Sequence, residues 1–247
     1  SERMLAFPNN DLPGVYGAGA AQTLMNVHGV RPGHRVLMVG AGNIGLIVTY
    51  QMLQAGVRVV GIVEAAPTIG GYLVHAAKVR RAGVPIYTSY TVKEAYGNGA
   101  VEGAVIWQLD EKWAPIPGTE KDLAVDVICL AVGLSPLSDL LWQAGCQMTH
   151  VPELGGSVAV RDSLLCTTNS QIYIAGDVAG VEEASSAMVE GQVAGLGAVL
   201  SLGLGGERAQ VMLADARKQL AALRSGPVGE KIRAGLSSVE KGVTVDA

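Results

Sequence analysis

Val36-Leu37-Met38-Val39-Gly40-Ala41-Gly42-Asn43-Ile44-Gly45 is the stretch that decides the fold. Four apolar residues stop at a glycine-rich turn. A helical apolar pattern follows to about Ala55, and a second apolar run, Arg58 to Val63, ends on Glu64. Strand, Gly-x-Gly-x-x-Gly turn, helix, strand and acid, in that order, form the dinucleotide-binding fingerprint in its structural setting. Gly40 permits the tight turn, Gly42 lets the backbone approach a pyrophosphate, and Gly45 lets the helix pack close to the strand. Asn43 and Ile44 open the helix, so their N–H groups and the positive end of the helix dipole face the phosphates. Glu64 stands 24 positions after Gly40. An acid there accepts hydrogen bonds from the adenosine ribose and repels the 2′-phosphate of NADP. No arginine follows it directly, and Lys78 and Arg80 lie a helix away, so NAD is expected in preference to NADP.

Outward from this core, residues 1–33 read as a Pro/Gly-punctuated entry with a short helix from Ala18 to Val27. Gly17-Ala18-Gly19 imitates a nucleotide loop, but no apolar strand precedes it and Gln22 fills the third glycine position. Downstream, a helix is expected from Ile69 to Arg81 and a short strand from Pro85 to Thr88. Val92–Tyr96, Val101–Leu109 and Ala124–Ala131 then read as three strands with no helix between them. Gly97-Asn98-Gly99 is a strong hairpin signal. An antiparallel meander covering one face of the parallel sheet is therefore expected, its last strand apolar enough to be central. Beyond Gly133 come a short helix near Ser138–Ala144, strands at Val158–Val160 and Ile172–Ala175, a small-residue helix from Ala184 to Leu202, and an amphipathic helix over 207–224. That last helix packs on its own domain or offers a docking face. The tail reads as a short helix followed by disorder.

Composition narrows the class. Hydrophobic residues make up 49% of the 247 and charged residues 16%, which marks a globular chain. A net charge of −4 argues against a nucleic-acid partner. No uninterrupted apolar run reaches about 18 residues, so no membrane span is expected. No signal-peptide pattern opens the chain. Cys129, Cys146 and Cys166 form no CxxC, and His28, His34, His75 and His150 lack metal-ligand spacing. Neither disulfides nor a metal site is expected, and the cysteine usage suits a cytoplasmic setting.

A second constellation is Ile172-Tyr173-Ile174-Ala175-Gly176-Asp177, preceded by Thr167-Thr168-Asn169-Ser170-Gln171. A Gly-Asp turn after a buried strand is ordinary by itself. Downstream of the fingerprint, this block resembles the late flavin motif of the pyridine nucleotide-disulfide oxidoreductase family. Ala131-Val132-Gly133-Leu134-Ser135-Pro136 is similar to the segment by which that family leaves its NAD domain, with Gly133 close to the nucleotide. Leu12-Pro13-Gly14-Val15, Gly19-Ala20-Ala21-Gln22-Thr23-Leu24 and Glu190-Gly191-Gln192-Val193-Ala194-Gly195 resemble segments of the flavin subunits of sarcosine oxidase, opine oxidase and hydrogen cyanide synthase. The resemblance covers about residues 1–205.

It implies an α/β fold in which a Rossmann-like NAD domain with a meander crossover (31–134) is inserted in a partial FAD-binding domain (1–30 and 135–205), followed by a C-terminal helix and tail (206–247). It also implies an FAD-dependent NAD(H) oxidoreductase passing hydride between nicotinamide and flavin. Gly176 and Asp177 would bind FAD, with Asp177 accepting a hydrogen bond from its ribityl chain and the next helix aiming its N-terminus at the flavin. Electrons would pass to or from an electron-transfer subunit or an amine or amino-acid substrate. The family's own N-terminal glycine-rich FAD fingerprint is absent, and Ser1-Glu2-Arg3 looks like the residues that follow its first exit motif. The matching N-terminal half is therefore expected in the same gene or a separate chain. The nicotinamide–flavin step needs no side-chain acid or base, so no catalytic residue is named. From the residues alone two other readings stay open: a flavin-free NAD-dependent dehydrogenase, and a non-catalytic nucleotide-binding subunit.

Overall fold

The computed structural model describes residues 1–227 and 229–240. It divides into two compact units, Glu2–Gly133 and the chain from Leu134 onward together with Ser1. The first unit runs β1 (Val15–Gly17), α1 (Ala18–Asn26), β2 (Arg35–Val39), α2 (Asn43–Gln54), β3 (Arg58–Glu64), α3 (Leu73–Arg81), β4 (Ile86–Thr88), β5 (Tyr90–Tyr96), β6 (Gly103–Gln108), β7 (Lys121–Leu123) and β8 (Val127–Leu130). Five strands form a parallel sheet in the order β1-β8-β2-β3-β4, and β5-β6-β7 form a separate antiparallel sheet.

Alternation along the strands explains why the parallel sheet is covered twice. Val36 and Met38 of β2, with Val127 and Cys129 of β8, pack with α1, α2 and α3. Leu37 and Val39, with Ile128 and Leu130, point the other way, against Val92, Ala95, Ala104 and Ile106 of the meander. A sheet buried on both faces needs continuous apolar strands, which is how β2 and β8 read. Burial also pushes the Cys129 thiol up to about 12, with a further push from the charge of Glu2, so this sulfur stays protonated at neutral pH.

Three expectations for this unit change. The third meander strand is Lys121–Leu123, whereas Val127–Leu130 sits between β1 and β2 in the parallel sheet. Every side chain of β8 is buried, which no outer layer could offer. Asp126 fixes its start: the carboxylate accepts the N–H groups of His34 (2.9 Å) and Arg35 (2.7 Å), and its own N–H donates to the Arg35 carbonyl (3.0 Å). The entry segment also belongs here and not with residues 135–205. Val15–Gly17 pairs in parallel with β8, and Ala18 and Ala21 are fully buried. Finally, the helix expected from Ile69 begins only at Leu73.

The second unit contains α4 (Asp139–Gln143), the antiparallel pair β9 (Met148–Val151) and β10 (Gly156–Ala159), then α5 (Ala184–Ser201), α6 (Gly206–Leu223) and α7 (Glu230–Glu240). Helix α6 packs on α5 through Leu213, Ala216 and Leu220 against Val189 and Val193. Leu236 and Val239 of α7 pack on Val151, Leu154 and Val158. The disorder expected of the tail falls on residues 241–247, outside the described residues. Ile172–Ala175 is not a ladder strand. Its one bridge, Cys166 with Tyr173, is antiparallel, and the described residues of this unit hold no parallel strand beside it. Among the described residues, no helix is long and apolar enough to cross a membrane.

The Asp126 carboxyl, although burial pushes it up, is held below its ordinary range by the N–H groups of Arg35 and His34. A depressed folded value gives stability that is present above the unfolded value of about 3.9 and lost as pH falls through the folded one. Acid unfolding followed by circular dichroism should therefore be shallower between about pH 5 and 3 in Asp126→Asn than in the parent.

Candidate functional site

The glycines of the turn meet distinct steric demands. Gly40 has φ +105°, and a Cβ on it would lie 2.3 Å from the Ala131 carbonyl oxygen. A Cβ on Gly45 would lie 2.1 Å from the Gly40 carbonyl oxygen, so α2 starts in contact with the strand end. A Cβ on Gly42 would meet nothing within 4 Å. Its surroundings are open space. In the first turn of α2, the N–H groups of Asn43, Ile44 and Gly45 find no acceptor among the described residues. Such a cluster of unmet donors favours an anion.

These elements border a cavity of about 430 Å³ at the carboxyl ends of the parallel strands. Gly40, Gly42, Glu64 and Gly133 line it, as do Gly70, Tyr90 and Thr91. Asn43, Ile44 and Gly45 do not. Asn43 is turned to the next loop, Ile44 is exposed, and Gly45 is buried in the helix–strand contact. Gly133 has φ +115°, and its carbonyl accepts the Arg3 N–H at 3.0 Å.

Glu64 does more than its spacing suggests. Oε2 accepts the Ala41 N–H at 2.7 Å and Oε1 accepts the Ala66 N–H at 2.9 Å, so the carboxylate clamps the glycine turn to the end of β3. Each carboxylate oxygen can accept a second hydrogen bond, which leaves capacity for a hydroxyl. A further clamp is not evident from residue spacing. The Gly71 N–H donates to the Ala41 carbonyl at 2.9 Å, and Asn43 Oδ1 accepts the Tyr72 N–H at 2.8 Å. A Cβ on Gly71 would come within 2.9 Å of the Asn43 nitrogen. Gly70-Gly71 is the one mark it leaves in the sequence, and these two bonds explain why α3 starts late.

The imitation loop is occupied from within. Glu2 accepts the Gly19 N–H at 2.7 Å and the Ala20 N–H at 3.3 Å, and a Cβ on Gly17 would strike its carboxylate. The anion that α1 receives belongs to the chain itself.

In the second unit, Gly176 has φ +72° and donates its N–H to Glu190 Oε2 at 2.8 Å. Asp177 follows on the exposed side of a single helical turn, Gly176–Val178. Behind it, Arg224 joins Glu190 (2.5 Å) and Glu182 (2.6 Å). Burial lowers the Arg224 pKa, but hydrogen bonds and charge from Glu182 and Glu190 more than offset this and raise it. Arg161 is buried nearby, its Nε and Nη1 without a hydrogen-bond partner among the described residues, and burial pushes its pKa down. Among the described residues, no three His, Cys, Asp or Glu side chains are grouped to hold a metal ion.

The comparison with known families rests on most of this framework. The model for pyridine nucleotide-disulphide oxidoreductases matches residues 7–191. The chain belongs to the pyridine nucleotide-disulphide oxidoreductase family. It is 26% identical over 221 residues to the HcnB subunit of hydrogen cyanide synthase from Pseudomonas aeruginosa, covering 81% of this chain and 46% of that protein. Against an opine oxidase subunit of Rhizobium meliloti the identity is 30% over 217 residues, covering 78% and 45%. Against the alpha subunit of sarcosine oxidase from a Corynebacterium species it is 28% over 204 residues, covering 82% and 20%. The chain thus spans less than half the length of these relatives, all of them subunits by name. T. acidophilum thioredoxin reductase shares the fold, with a TM-score of 0.60 at 22% identity over 87% of this chain and 63% of that one. L-proline dehydrogenase from P. horikoshii does so with a TM-score of 0.57 at 21% identity, over 87% and 35%.

The contrast between the two glycines is testable. Gly45→Ala should cost about 1–3 kcal/mol by overpacking. Gly42→Ala should stay within about 1 kcal/mol of the parent. Urea unfolding of the two variants checks both values.

Proposed function

We propose that this chain is the nucleotide-handling part of an FAD-dependent NAD(H) oxidoreductase. The observation that carries the reading is the open backbone at Gly42, with unmet N–H donors at the start of α2 and a carboxylate at the rim of the same cavity. The donors suit a pyrophosphate, and the second lone pairs of Glu64 suit the adenosine ribose hydroxyls. Among the described residues, no lysine or arginine lines the cavity, and Glu64 would repel a 2′-phosphate, so NAD is preferred to NADP. Gly133 and the chain beside it bound the end away from Glu64 and would receive the nicotinamide half.

For FAD, the fitting feature is the Gly176–Asp177 turn. Glu190 fixes the Gly176 N–H, and Asp177 presents an exposed acceptor. That is one wall of a flavin site, and a further polypeptide segment, in the same gene or a separate chain, would supply the rest. When bound, the two cofactors supply hydride transfer between nicotinamide and flavin. The residues of this chain bind and orient them. The electrons then pass to or from an electron-transfer subunit or an amine or amino-acid substrate, in a cytoplasmic setting.

Binding calorimetry tests the nucleotide assignment. Glu64→Ala should weaken NADH binding by about 1–3 kcal/mol and narrow the preference for NADH over NADPH. Unchanged affinity and preference would remove the ribose contact. When the chain is co-purified with the polypeptide that completes its flavin site, a visible flavin band should bleach on adding NADH. A band that does not respond would overturn the hydride step.

A further inference from the structure

Beside the dinucleotide cavity lies a groove of about 420 Å³, bounded by the Leu5–Pro8 segment and the meander. Two of the three tryptophans in the chain, Trp107 and Trp113, and its one phenylalanine, Phe7, line this groove. In a protein with 4% aromatic residues this is a concentration of ring surface in one place.

Trp113 is presented at a conformational cost. Its φ is +65°, uncommon for a bulky residue, yet its side chain is 60% exposed and gains little from burial. The turn is over-determined. Asp110 Oδ1 accepts the N–H groups of Lys112 and Ala114, both at 2.8 Å, and the Asp110 carbonyl accepts the Trp113 N–H at 3.0 Å. The Lys93 ammonium lies 5.1 Å above the Trp107 ring and is tied to Glu120 at 3.2 Å. The groove therefore has a fixed aromatic floor and an exposed ring at its lip.

Its position suggests the occupant. Leu5, Ala65 and Thr91 line both the groove and the dinucleotide cavity. If the pyrophosphate lies at Gly40–Gly42 and the adenosine ribose at Glu64, the base attached to that ribose continues past Ala65. The nicotinamide half leaves toward Gly133. We propose that the groove seats the adenine base and that Trp113 stacks on it as a specificity-determining residue. The proposal rests on the dinucleotide reading given above. A planar uncharged base gains most from an aromatic face, whereas a second phosphate would find, among the described residues lining the groove, only Lys93, already paired with Glu120.

ADP and reduced nicotinamide mononucleotide serve as probes on the full chain, with binding followed by calorimetry and tryptophan emission. Trp113→Ala should weaken ADP and NADH binding about tenfold and leave the mononucleotide unaffected. Trp113→Phe should keep the ADP affinity but show a smaller quenching of emission by ADP than the parent, the remainder coming from Trp107 in the same groove. Unchanged ADP affinity in Trp113→Ala, equal weakening of both probes, or quenching in Trp113→Phe as large as in the parent would overturn the subsite while leaving the dinucleotide reading intact. A parent chain that binds neither ADP nor NADH would overturn that reading, and the subsite with it. Both substitutions are at an exposed side chain, and matching circular dichroism spectra confirm that the variants are folded.

Discussion

A helix can begin in contact with the end of a strand only where no side chain stands between them. Gly40 and Gly45 meet that constraint, and the rest of the first unit follows from it. The carbonyl of Gly40 occupies the space a Cβ of Gly45 would need, and the carbonyl of Ala131 occupies the space of one on Gly40. The β2–α2 junction is thereby pressed against the end of β8, and the unmet donors of α2 open at the mouth of the sheet. Glu64 and Gly71 hold the junction from opposite sides, one through a carboxylate and the other through backbone alone.

The second unit solves a different problem. Its turn at Gly176 is held by a buried charged group, Glu190 with Arg224 and Glu182. Buried ion pairs of this kind contribute little net stability, but removing one partner strands the other in a low-dielectric interior. The arrangement specifies geometry: the end of α6, the start of α5 and the turn before Asp177 are tied to one set of atoms. Arg161, buried with part of its guanidinium unpaired among the described residues, makes the balance of charge there more demanding still.

Much of the framework around Gly40–Gly45 is legible because its constraints act on residue type. Glycine spacing, an apolar strand and an acid at the next strand end each leave a mark in the sequence. The Gly71–Ala41 bond leaves almost none, since backbone groups are common to every residue, and so the late start of α3 is hidden. The third meander strand is obscured for another reason. Lys121-Asp122-Leu123 shows no apolar alternation, yet Lys121 covers the rings of Tyr87 and Tyr90 at 4.7 and 5.0 Å, so a charged residue serves the packing. The entry strand Val15–Gly17 is too short to register as a period. Ile172–Ala175 has the composition of a strand, but a ladder depends on a neighbour, which composition does not report.

The buried thiol of Cys129 carries a practical consequence. It lies in the middle of β8 with no exposed surface, and burial keeps it protonated at neutral pH. An alkylating reagent must wait until the central strand leaves its neighbours, whereas Cys166, only partly covered, is within earlier reach. The rate at which Cys129 is labelled therefore reports how often the parallel sheet of the first unit opens.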